Sequence, residues 1–193
     1  MKKSILLVMD MINDLVGESG PGATTYVPLM RERNVIENTR KAIEAARNSG
    51  VLVGYVRVGF SRDYRECPPA SPIFSAARQN GRFKLGTPGT AVHPVLAPKD
   101  NDFDIVKHRV SPFYGTSLEP ILRAQGIERL ILCGVSTNGV VHTGAREGHD
   151  RDYECIVLED CCAGASVEEH ERALFCVARF AKIAKSSELD FRS

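Results

Sequence analysis

Asp10, Lys107 and the segment 134–140 (Gly-Val-Ser-Thr-Asn-Gly-Val) are where residue type and spacing suggest chemistry. Asp10 ends the apolar run 4–9, and Lys107 ends the run 103–107. If those runs are strands of an open parallel sheet, both residues fall at carboxyl ends, where such sheets bind ligands. An Asp and a Lys meeting there shift each other's pKa and can hold a proton-transfer group in place. The plainer reading of such a pair is a salt bridge at the sheet edge. The glycine-bearing segment opens a helical stretch, so its N–H groups and the helix dipole favour an anion or a developing oxyanion. It lacks the GxGxxG pattern, and no acidic ribose ligand follows at the usual distance, so a dinucleotide site is not expected.

Other reactive residue types form no site. The six cysteines (Cys67, Cys133, Cys155, Cys161, Cys162, Cys176) include no CxxC pair and read mostly as small buried hydrophobes. His142 and His149 lie seven apart on a predicted helix, about 10 Å, too far to share an ion. Neither metal nor other cofactor is expected.

The elements that must position these residues follow from apolar patterning. Short runs at 4–9, 51–57, 103–107, 129–133, 153–158 and 180–185 suit strands buried on both faces. Helical spacing lies between them at 34–48, 117–125, 137–150 and 166–178. Thr137 is placed as an N-cap, and Ser166 with Glu169 forms a capping-box pattern. Strand and helix alternate, which predicts a three-layer α/β/α domain over 1–193 with a doubly wound, Rossmann-like parallel sheet of about six strands. The stretch 58–98 is rich in Pro and Gly and reads as a long excursion with a short helix near 73–78, a cover over a site.

Composition limits the partners. The chain has 193 residues, 43% hydrophobic, with a formal net charge of +1 and no Trp. Neither a nucleic-acid nor a membrane partner is expected. No apolar run reaches the roughly 18 residues of a membrane span. The signal-like start stops at Asp10 without a cleavage site, which predicts a cytoplasmic protein.

Several motifs together carry a resemblance. Leu6 to Asp14 resembles the DMxND opening of the isochorismatase-like hydrolases, the cysteine hydrolase superfamily. Gly86-Thr87-Pro88-Gly89, His93-Pro94 and Lys107 to Phe113 resemble its GTPG…HP…KxRxSxF sequence. Leu130 to Thr143, Arg146-Glu147 and Asp160 resemble its GVxTxxCVxxTxRxA…D block. The resemblance implies that Asp10 is the general acid/base, with Lys107 setting its protonation and binding substrate. It puts Val140 where the family has its nucleophilic Cys, which places this chain with the Cys-less branch.

Isochorismatases proper also lack that Cys and hydrolyse a vinyl ether, and this chain resembles them in Asp10, Lys107, Arg109, Ser111 and Phe113. It departs from them at Ser136, where they have Tyr, and at Val140. Ile12 stands where many members have Gln. The metal ligands of the family's nicotinamidases have no counterpart in Arg57-Val58-Gly59-Phe60.

The reading is a hydrolase of a small, carboxylate-bearing metabolite that uses Asp10 and Lys107 without a cysteine nucleophile. Ser136 and Val140 would form a polar backbone cradle. Phe113 would line the substrate site, and Arg57, Arg62, Arg65 and Arg109 would be carboxylate binders. The alternatives are an inactive member that binds a metabolite or protein, and an amidohydrolase in which water attacks directly. The resemblance also implies a cis peptide at Val135–Ser136 and a homodimer or homotetramer.

Overall fold

Six apolar segments become six parallel strands in a computed structural model that describes residues 2–192. They are β1 (Ser4–Met9), β2 (Leu52–Val58), β3 (Phe103–Lys107), β4 (Arg129–Val135), β5 (Glu154–Ala163) and β6 (Lys182–Ala184). Every residue of β1 is buried, as a strand covered on both faces requires. The spatial order is β3-β2-β1-β4-β5-β6, so the chain winds outward in both directions from β1. The crevice therefore opens beyond the carboxyl ends of β1 and β4, where the winding reverses.

The helices are α1 (Asn13–Val16), α2 (Ala23–Glu32), α3 (Val35–Asn48), α4 (Leu118–Ala124), α5 (His142–His149) and α6 (Val167–Val177). Val8 and Tyr55 are register partners on one face of the sheet, where Arg47 of α3 reaches the Tyr55 hydroxyl. On the opposite face Gly144 of α5 lies against the Met9 side chain. Helices thus flank both faces, as the strand–helix alternation predicts. Among the described residues no helix is long and apolar enough to cross a membrane.

Four details differ from the sequence expectations. Helix α2 has no signal in the pattern, because Pro28 interrupts it and Thr24-Thr25-Tyr26 are poor helix formers; burial of Val27, Leu29 and Met30 outweighs propensity. No helix forms at 73–78: the hydrogen bonds there switch spacing, with Ser75 donating to Ser71 at 2.9 Å, Ala77 to Phe74 at 2.9 Å and Arg82 to Ala77 at 2.9 Å. Strand β5 extends to Ala163 after a register shift between Leu132 and Gly134. The helix expected over 137–150 is a wide π-turn, Thr137–Val141, followed by α5.

The excursion packs as a second apolar cluster in which Phe60, Tyr64, Phe74, Ala77 and Phe83 are buried. Its clips explain several motif residues. Asn13 donates to the Pro88 carbonyl at 2.9 Å, and the Asp14 carboxylate accepts the Phe83 N–H at 2.6 Å. A Cβ at Gly89 would land on that carboxylate, so only glycine lets the two segments close.

Candidate active site

Strand ends deliver Asp10 and Lys107 to one point. Asp10 has a φ of 56°, a left-handed conformation that Asp tolerates better than most residues, and it turns out of β1 into the crevice. Its Oδ1 accepts the Val58 N–H at 2.7 Å, and its Oδ2 meets Lys107 Nζ at 2.8 Å. Lys107 Nζ also donates to the Arg109 carbonyl at 2.9 Å. Both side chains are almost wholly buried, at 1% and 7% exposure. Burial raises the Asp10 pKa above the ordinary carboxylate value, while the Lys107 charge and the Val58 N–H pull it down. The proton is held more tightly here than in water, as suits a general acid.

The pair opens onto a cavity of about 290 Å³. Its polar side carries Asp10, Lys107, Ser136, Asn138, Tyr26 and Glu169, and its apolar side carries Val58, Ile73, Phe74, Phe83 and Val140. Gly134, at the end of β4, has a φ of 140°, and a Cβ there would collide with the Met9 carbonyl. That close approach holds β4 against β1 just before the lining residues Val135 and Ser136. The Val135–Ser136 peptide is cis.

In the π-turn the Ser136 carbonyl accepts the N–H groups of Gly139 at 3.1 Å and Val141 at 3.4 Å, so both are engaged within the turn. The Ser136 hydroxyl donates to Asn138 Oδ1 at 2.8 Å. Thr137 does not act as an N-cap: its hydroxyl is buried and lies 2.7 Å from His170 Nδ1. Ser166 does cap α6, accepting the Glu169 N–H at 3.1 Å, while Glu169 Oε1 accepts the Ala165 N–H at 2.8 Å.

Asp10, Lys107, Ser136 and Val140 therefore share one cavity, and the other expected residues lie outside its lining. Arg57 is held by Asp104 at 2.6 Å and by the Thr90 carbonyl at 2.6 Å. Arg62 is exposed on the excursion, and Arg65, also exposed, pairs with Asp63 at 3.4 Å. Arg109 donates to the Glu66 and His108 carbonyls at 2.8 Å and 2.6 Å, fastening the excursion rather than facing a ligand. Phe113 is buried, stacked on Tyr153 at 6.4 Å with Arg151 over its ring. None of these five lines the cavity: Arg57 is bound to Asp104 of the neighbouring strand β3, Arg109 and Phe113 are engaged in packing contacts, and Arg62 and Arg65 are exposed.

Tyr26 and Glu169 went unread as cavity residues. Tyr26 sits on the unanticipated α2, and Glu169 showed only its capping pattern. Burial raises the Tyr26 pKa, opposed by the Ser136 hydroxyl beside it.

Among the described residues no cysteine lines the cavity and no group of three His, Cys, Asp or Glu could hold a metal ion. Cys133, Cys155, Cys161 and Cys162 are buried, and burial raises the pKa of each.

The Isochorismatase domain family matches residues 4–188. The isochorismatase family protein YecD of Escherichia coli O157:H7 is 30% identical over 193 residues, covering 97% of this chain and 95% of that protein. The ureidoacrylate amidohydrolase RutB of Acinetobacter baylyi is 30% identical over 192 residues, covering 93% of this chain and 78% of that one. Among solved structures, N-carbamoylsarcosine amidase from Thermoplasma acidophilum has 30% identity and a TM-score of 0.76, covering 97% of this chain and 99% of that chain.

Proposed function

This chain belongs to the isochorismatase family, and on that premise we propose that it hydrolyses a small, carboxylate-bearing metabolite without a cysteine nucleophile. One observation carries the reading: the buried Asp10–Lys107 pair faces a cavity lined by no thiol. Asp10, whose pKa burial raises, takes up a proton and gives it to the substrate, for a vinyl ether at the alkene carbon. Water adds to the oxocarbenium ion so formed, its proton returns to Asp10, and the resulting hemiketal collapses: the C–O bond to the alcohol breaks, the hemiketal hydroxyl's proton passes to the departing oxygen, and a carbonyl product remains. Lys107 holds the carboxylate in place and balances its charge during the transfer. Val140, where the family Cys would stand, closes off covalent acyl transfer at that position.

A second reading is favoured by two relatives that are named as amidohydrolase and amidase. In it the ionised Asp10 takes a proton from water, which attacks an amide carbonyl directly, and Asp10 then protonates the leaving nitrogen.

The test is an activity screen of the purified protein against vinyl-ether acids and carboxamides, with Asp10→Asn alongside. Turnover that falls about 10²–10⁴-fold in Asp10→Asn supports acid/base chemistry, and the class turned over decides between the readings. Equal rates in the two proteins exclude Asp10 as the catalytic acid. No turnover of either class makes the chain a non-catalytic family member.

A further inference from the structure

Asp10, Lys107 and Glu169 are the charged residues of the cavity lining. Asp10 and Lys107 offset each other at 2.8 Å, but among the described residues no Lys, Arg or His pairs with Glu169. The Glu169 carboxylate is nonetheless held in place. Its Oε1 accepts the Ala165 N–H at 2.8 Å, and the N-terminus of α6 favours its ionised form. Its Oε2 has no hydrogen-bond partner among the described residues. Asn138 and Glu169 also line a wider cleft of about 510 Å³ beside α6, together with Ser166, Arg172 and Cys176. They are the residues common to both spaces, so Glu169 stands where cleft and cavity meet. A capping box would be served equally well by Gln, so capping does not explain the charge. With one oxygen tied down, the other free and the remaining lining charges cancelled, the site carries a surplus negative charge. A second carboxylate there would be repelled, whereas an N–H-bearing cation would gain a charge-assisted hydrogen bond. The aromatic lining of Tyr26, Phe74 and Phe83 also suits an organic cation.

We propose that Glu169 receives a cationic N–H group of the substrate, an ammonium or amidinium, where the cavity meets the cleft. This rests on the reading of that cavity as the substrate site. It makes the metabolite zwitterionic: the nitrogen sits on Glu169, the reacting bond points toward Asp10, and the carboxylate stays in the open cleft.

The experiment is an NMR titration of the native protein, Glu169→Gln and Glu169→Asp with benzylamine, benzyl alcohol and benzoate. The native protein should bind benzylamine best, with amide shifts at Gly139 and Val140 of the lining. Glu169→Gln keeps the capping pattern and removes the charge. It should weaken benzylamine about tenfold or more and leave benzyl alcohol unchanged, since hydrogen bonds to charged groups are the stronger ones. Glu169→Asp should keep part of the preference, because the charge remains on a shorter arm. The proposal is overturned if benzylamine fails to bind the native protein at millimolar concentration or shifts only residues outside the lining. It is overturned equally if benzoate binds best, or if benzylamine and benzyl alcohol weaken alike in Glu169→Gln. Turnover plays no part in these readings. Glu169-dependent benzylamine binding by a protein that hydrolyses nothing leaves the cation site standing and removes the hydrolase. Asp10-dependent turnover with benzylamine binding indifferent to Glu169 does the reverse.

Discussion

His170 Nδ1 lies 2.7 Å from the Thr137 hydroxyl, which ties α6 to the first residue of the turn that carries Val140. The imidazole is 1% exposed, its Nε2 has no hydrogen-bond partner, and Glu159, 4.0 Å away, is bound by Arg33. Burial, with the Arg33 charge nearby, lowers the His170 pKa to about 4. The unfolded chain takes up that proton below its ordinary value of about 6.5, and the folded protein does not until about pH 4. Stability should therefore fall as pH drops through that window, by at most about 1.4 kcal/mol per pH unit from this group. Asp10 has the opposite sign, because its raised pKa favours the folded state on acidification. Urea midpoints at pH 7 and pH 5 should fall less in His170→Asn than in the native protein; an identical fall removes His170 as the source.

The Asp10–Lys107 pair should behave as a buried ion pair in stability as well as chemistry. Removing one partner strands the other charge, so Asp10→Asn and Lys107→Met should each destabilise by about 3–5 kcal/mol. The double variant should recover part of that loss, because no charge is left unpaired. Denaturant melts of the three variants check this, and additive losses would mean the two groups are not coupled.

Val140→Cys would put a thiol in the cavity beside Lys107 at a helix-opening turn. Its pKa should lie below the ordinary thiol value of about 8.5. Alkylation mapped by peptide mass should therefore reach position 140 in the folded variant at near-neutral pH, while the four buried native thiols stay unmodified. Labelling at position 140 only on unfolding would contradict the cavity's accessibility.

Gly89→Ala should loosen the excursion and, through Phe83, the part of the cavity wall it supplies. The added methyl meets the Asp14 carboxylate, which must move and release the Phe83 N–H. Overpacking of this kind costs about 1–3 kcal/mol. Limited proteolysis should cut within 58–98 sooner in the variant, and an unchanged digestion rate would show that the clip is dispensable.

The sheet was legible because strands buried on both faces are nearly continuous apolar runs, and Asp10 and Lys107 stood out as charges closing two of them. The helix α2 was hidden because Pro28 and three poor formers mask an element held by tertiary burial. The cavity walls were hidden for a related reason. Phe74 and Phe83 belong to a segment whose turns change spacing from bond to bond, and no period survives to mark a face. Arginine count suggested anion binding, but no arginine lines the cavity. Arg57 and Arg109 find their acceptors Asp104 and the Glu66 carbonyl through long-range folding, and the pattern of a single sequence holds no record of those partners.

The close approach of Gly134 to Met9 separates foldedness from selectivity. Position 134 is closed to substitution for reasons of folding alone, since any side chain there would force β4 away from β1. Much of the cavity wall comes instead from Tyr26 of α2, from 73–83 of the excursion and from the start of α6, none of which belongs to the sheet. Ligand preference can therefore drift or be redesigned by changing those three segments, while the strand ends that carry Asp10 and Lys107 stay as they are.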